Sequence, residues 1–102
     1  MKPSNFTVVL PEYYDSDAFT QFEVESKGLF MDVTVEVNEQ RFRLTFYDIV
    51  RLKQDYESAA ENNASYFLEA NLVVIAKVTK ELMLKAISDI YHDNGFNLMR
   101  PE

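Results

Sequence analysis

Residues 29–46, LFMDVTVEVNEQRFRLTF, restrict the possible folds more than any other stretch of the chain. Two alternating apolar and polar runs meet at Asn38-Glu39, and a two-residue gap is the length that closes a tight hairpin. Setting Val37 against Gln40 opposes Val35 to Phe42, Val33 to Leu44 and Met31 to Phe46, all on one apolar face. The other face then sets Glu36 against Arg41, Thr34 against Arg43 and Asp32 against Thr45. A slip of one residue would turn the apolar set to the wrong side, so the pattern selects its own register. Asn38 suits the positive φ of a type I′ turn. Glu39 does not, which favours a bulged variant.

Lys27-Gly28 reads as a second two-residue gap, with Gly28 supplying a permissive backbone. Pairing Ser26 with Leu29 sets Val24 against Met31 and Phe22 against Val33. The expectation is a three-stranded antiparallel meander over residues 21–46. Its charged face would hold Glu23, Glu25, Phe30, Asp32 and Glu36 beside Arg41 and Arg43.

The rest of the chain supplies the covering elements. Residues 5–10, NFTVVL, read as a strand that stops at Pro11. Residues 11–17, PEYYDSD, are a connection in which Asp15 or Ser16 caps a short helical turn through Ala18 and Phe19. A helix is expected over 48–61, with Asp48 in its first turn and Ile49, Leu52, Tyr56 and Ala59 or Ala60 on one face. Residues 72–78 are apolar at both parities and read as a strand inside the sheet. Residues 66–68 are either a separate strand or the start of one bent strand through 78. A last helix spans 80–94, with Thr79 as N-cap and Met83, Ala86, Ile87, Ile90 and Tyr91 facing the core. Gly95 would close it in the left-handed conformation, with Phe96 folding back. These elements predict one two-layer α+β domain over residues 1–102. Its sheet is mostly antiparallel, and both helices pack on the apolar face.

Charge and composition narrow the function classes. The net charge is −7; residues 1–39 carry eight acids and two bases, and residues 40–102 carry nine and eight. Such a field repels nucleic acid and anionic membrane and attracts a basic protein. With no Cys there is no disulfide, thiolate site or Cys nucleophile, which is compatible with the cytoplasm. No apolar h-region follows Met1-Lys2 and no run reaches membrane-spanning length, so neither a secretion signal nor a membrane segment is expected.

No motif for chemistry survives inspection. His92 is the only imidazole; it falls in the last helical turn, where a cation meets free carbonyls. Asp15-Ser16-Asp17 opens like a calcium loop, but Phe19, Thr20 and Ser26 occupy positions that need a ligand, a glycine and a glutamate. Two glycines cannot write a phosphate loop. The chain is expected to be non-catalytic, with no cofactor and no metal.

What remains is protein recognition. Tyr13, Tyr14 and Phe30 are the aromatic residues least explained by folding and are candidate anchors. Asp15, Asp17, Glu23, Glu25, Asp32 and Glu36 are candidate steering charges. The reading is a small acidic protein-binding module, such as a neutraliser of the immunity or antitoxin kind, with a basic protein partner. The alternative is a structural homodimer or larger homo-oligomer that self-associates through its sheet.

Overall fold

The computed structural model describes residues 5–102. In chain order the elements are β1 (Phe6–Val9), α1 (Glu12–Asp15), α2 (Ala18–Lys27), β2 (Leu29–Val37), β3 (Gln40–Tyr47), α3 (Ile49–Glu61), β4 (Leu72–Val74) and α4 (Lys80–His92), followed by a 3-10 turn over Gly95–Leu98. The fold is α+β, with one open sheet of order β1-β2-β3-β4. Its first two pairings are antiparallel, and β4 joins β3 in parallel.

The distal half of the hairpin has the register that alternation predicts: Val37 faces Gln40, Val35 faces Phe42 and Val33 faces Leu44. Asn38 and Glu39 have φ of 49° and 67°, so the turn is of the type I′ kind, with no extra residue despite the glutamate. Nearer Gly28 the register shifts. Phe30, not Met31, faces Phe46, because Met31 and Asp32 together oppose Thr45 in a β-bulge. The bulge moves Phe30 to the core side, where it is buried, and leaves Met31 exposed.

The third strand of the expected meander is instead a helix. Asp17 caps α2, its carboxylate accepting from Phe19 N at 3.0 Å and Thr20 Oγ1 at 2.9 Å. Gly28 ends the helix at φ 71°, its N–H donating to Val24 O at 2.9 Å. A Cβ there would collide with the carboxylate of Asp48, which in turn caps α3 through Arg51 N at 2.7 Å. Glu23 and Glu25 therefore stand on a helix, not beside Asp32 on the sheet. The place beside β2 belongs to β1, which sets Phe6 opposite Val37 and Val8 opposite Val35.

The segment over 72–78 is also corrected. Only Leu72–Val74 is strand, and it lies at the sheet edge; residues 66–68 form none. Ile75 N still bonds Tyr47 O at 2.9 Å, after which the chain leaves the sheet and buries Val78 completely. The unbroken apolar run records a strand followed by a core plug.

The core lies on one face of the sheet. Val33, Val35, Leu44 and Phe46 meet Met83 and Ile87 of α4, together with Val78 and Tyr14. Thr79 caps α4 through Leu82 N at 3.2 Å. Its end differs from expectation: Asn94, at φ 59°, takes the left-handed position, not Gly95. Gly95 is needed for space, because a Cβ would come 2.7 Å from Ile90 Cγ2. Phe96 folds back onto Phe42, with ring centres 5.1 Å apart.

Helix α3 enters this core nowhere. Its half-buried side chains are Arg51, Leu52, Asp55 and Ala59. At 100° per residue this face is turned about 80° from the apolar stripe of Ile49, Leu52 and Tyr56. The helix is tied to Tyr47, whose parity is opposite to the core residue Phe46. Tyr47 Oη donates to Asp55 at 2.7 Å, and Arg51 holds the same carboxylate at 2.9 Å. Among the described residues no helix is long and apolar enough to cross a membrane.

Candidate protein-docking surface

The nine residues singled out from sequence do not form one surface. Tyr14 and Phe30 belong to the core, stacked with centroids 4.5 Å apart. Burial pushes the Tyr14 hydroxyl pKa up, with Asp15 and Glu25 adding to the effect. Its oxygen has no hydrogen-bond partner among the described residues. Asp15 pairs with Lys80 of α4 at 2.6 Å, tying the N-terminal helices to the core layer. Asp17 is the α2 cap.

Tyr13 remains 54% exposed. Because β1 ends at Val9, opposite Thr34, the Phe30 end of β2 is left for α1 to straddle. Tyr14 reaches the core side and Tyr13 the other, where its hydroxyl donates to Asp32. Arg43 Nη2 grips the same carboxylate at 2.7 Å. The Asp32 carboxyl is held below its usual range, first by Tyr13 and then by Arg43. Tyr13 is pushed up to about 12, chiefly by that hydrogen bond, then by burial and the carboxylate charge. Glu36 pairs with Arg41 at 3.7 Å. The open sheet face thus matches its acids with arginines, and its bonds are internal.

An exposed aromatic surface lies on α2. Phe19 and Phe22 are 69% and 67% exposed. Spaced at i and i+3, they make one ridge. Helical geometry places Glu23 on one flank of it and Glu25 on the other. Both glutamates are exposed, and neither makes an ion pair or side-chain hydrogen bond among the described residues. Val24 alone of α2 is buried, on the opposite side. Sequence reasoning missed this ridge because Phe22-Glu23-Val24-Glu25 alternates like a strand. The Asp17 cap and the Phe19–Phe22 spacing were the signals for a helix.

A second apolar surface lies along α3. Ile49, Leu52, Lys53, Tyr56 and Phe67 line a groove of about 340 Å³, and Ile49 is 65% exposed. Phe67 stands edge-on to Tyr47 at 5.9 Å and forms one wall. Elsewhere the chemistry is sparse. Among the described residues no three His, Asp or Glu side chains converge as a metal site. Asp89 bonds Lys85 at 2.8 Å, while His92 is exposed at the end of α4.

Comparison of the chain with family models, with curated proteins and with solved structures finds no match.

Proposed function

We propose that this protein is a small acidic, non-catalytic binding module whose partner is a basic protein. The observation that carries the reading is the pair of exposed phenylalanines on α2, standing between two glutamates that make no ion pair among the described residues. Large aromatic side chains in water are costly unless a partner covers them, and aromatic anchors dominate binding energy in protein interfaces. Glu23 and Glu25 add steering and favour a pocket rimmed by Lys or Arg. The net charge of −7 extends that attraction over the whole molecule. A neutraliser of a basic protein in the cytoplasm is one concrete form of this role. The docking surface is α2, with Glu23 and Glu25 kept from the sequence-derived set. Tyr14 and Phe30 serve the core, and Asp32, Glu36, Asp15 and Asp17 serve internal pairs and a cap.

The test is capture from the protein's own lysate on immobilised wild type and two variants, Phe19→Ala/Phe22→Ala and Glu23→Lys/Glu25→Lys. The expected result is a basic protein retained by wild type, lost from both variants and released as salt rises. Equal retention by all three baits would refute the reading. Circular dichroism of each variant checks that it folds.

A further inference from the structure

The two edges of the sheet are finished differently. On the outer side of β3 the backbone is met along its length. Thr45 N bonds Asn71 O at 3.1 Å and Ile75 N bonds Tyr47 O at 2.9 Å. Asn71 Nδ2 caps Arg43 O at 3.0 Å, and Glu102 N bonds Arg41 O at 2.7 Å. Asn71 also exchanges a reciprocal pair with Arg100, each bond 2.8 Å, which holds the end of the chain alongside. These bonds fix which groups point outward: residues 41, 43, 45 and 47 of β3 face this edge.

Alternation then carries across the sheet. Phe42 and Leu44 bond Val35 and Val33, so Thr34 and Glu36 of β2 turn toward β1. Their partners Val9 and Thr7 face inward, which leaves the N–H and C=O of Phe6 and Val8 pointing out. Among the described residues no backbone or side-chain group meets them. Two of the usual defences of an edge, charge and a bulge, are also missing from the strand. Phe6–Val9 carries no charge, and its register with β2 has no bulge.

We propose that this edge pairs with the same strand of a second copy, antiparallel about a two-fold axis at Thr7. The strand is self-complementary in that register. Phe6 faces Val8 of the second copy and exchanges both backbone bonds with it, and the mirror pair does the same. Phe6 and Val8 lie on the core side, so an aromatic side chain meets a β-branched one there. Thr7 meets Thr7 on the open face. Both are favourable cross-strand pairs. An isologous contact of this kind closes on itself and needs no second surface. The charge pattern also selects a copy of this chain: at −7, two copies meet best along a strand that holds no charge. The pairing uses no residue of α2, so the dimer would carry two aromatic ridges.

The test is sedimentation equilibrium of the full chain across a wide concentration range at low and high salt. The dimer is expected to tighten with salt, as like-charged copies are screened, whereas a complex with a basic partner weakens. Thr7→Lys is the main variant. It faces Glu36 within its own sheet, which preserves the fold, and places two cations together at the axis. It should weaken dimerisation about tenfold or more. Val8→Pro deletes an outward N–H without removing a bond to β2 and should also give a monomer. Phe19→Ala/Phe22→Ala should dimerise as wild type does. A wild type monomeric at every concentration and salt overturns the proposal. So does a dimer that survives Thr7→Lys, or one lost only on changing α2.

Discussion

Helices α3 and α4 are alike in sequence terms and opposite in use. Each has thirteen residues, a side-chain N-cap and an apolar stripe at helical spacing. Helix α4 sets Met83 and Ile87 fully into the core; α3 buries no residue. The difference arises at the attachment point. Val78 and Thr79 lead α4 directly onto the apolar sheet face. Helix α3 follows Tyr47 and is fixed by polar bonds from Tyr47 to Asp55 and from Arg51 to the Lys27 carbonyl, which set its rotation. An apolar stripe therefore predicts that a helix has something to bury, not that its own domain buries it.

That contrast breaks most directly in paired truncations. Ile87→Ala should lower the unfolding free energy by about 2–5 kcal/mol, whereas Ile49→Ala should change it by less than about 0.5 kcal/mol in urea titrations. Equal losses would mean that α3 is packed as α4 is. The contact between Gly28, at the end of α2, and Asp48, the cap of α3, comes next. Gly28→Ala forces a side chain into the left-handed region, costing about 1–2 kcal/mol, and the collision with Asp48 adds to it. The caps follow: Thr79→Ala and Asp48→Ala should each cost about 1 kcal/mol. Tyr14→Phe sharpens the core side of the contrast. It removes a buried hydroxyl that has no partner among the described residues and should leave stability equal or up to about 1 kcal/mol higher.

The smallest effects are pH-dependent. Tyr13 and Tyr47 ionise at about 12 in the folded protein against 10.0 for an unperturbed tyrosine. For Tyr47 burial is the main cause and the bond to Asp55 the second. Their support for the fold is complete below pH 10 and is lost as pH rises toward 12. Asp32 has the opposite sense. Its folded pKa lies below 3.8, so its support is present above that value and fades as pH falls through it. Thermal melts of Tyr13→Phe should show shallower losses on both limbs.

Much of the hairpin was legible because strict alternation over 33–44 admits one register. The bulge was not, since Leu29, Phe30, Met31 and Val33 are apolar at both parities and allow two phases. Helix α2 was not legible because period two over Phe22-Glu23-Val24-Glu25 outweighs the Asp17 cap as a signal. Its neighbour Gly28 suits a hairpin turn equally well, but it terminates the helix. Of the proposed docking surface, Glu23 and Glu25 are legible in the sequence as exposed acids. Phe19 and Phe22 became candidates only once α2 was a helix with Val24 turned inward. Tyr14 and Phe30, surplus to the core that the expected meander would build, are part of the observed one.

The central claim is that the aromatic ridge of α2 serves a partner and not the fold. Equilibrium urea unfolding of Phe19→Ala/Phe22→Ala against wild type tests it most directly. An unfolding free energy within about 0.5 kcal/mol of wild type is predicted, as for exposed positions. A loss of about 3 kcal/mol or more, the size expected for buried phenylalanine, would show that the ridge is packed and contradict the account.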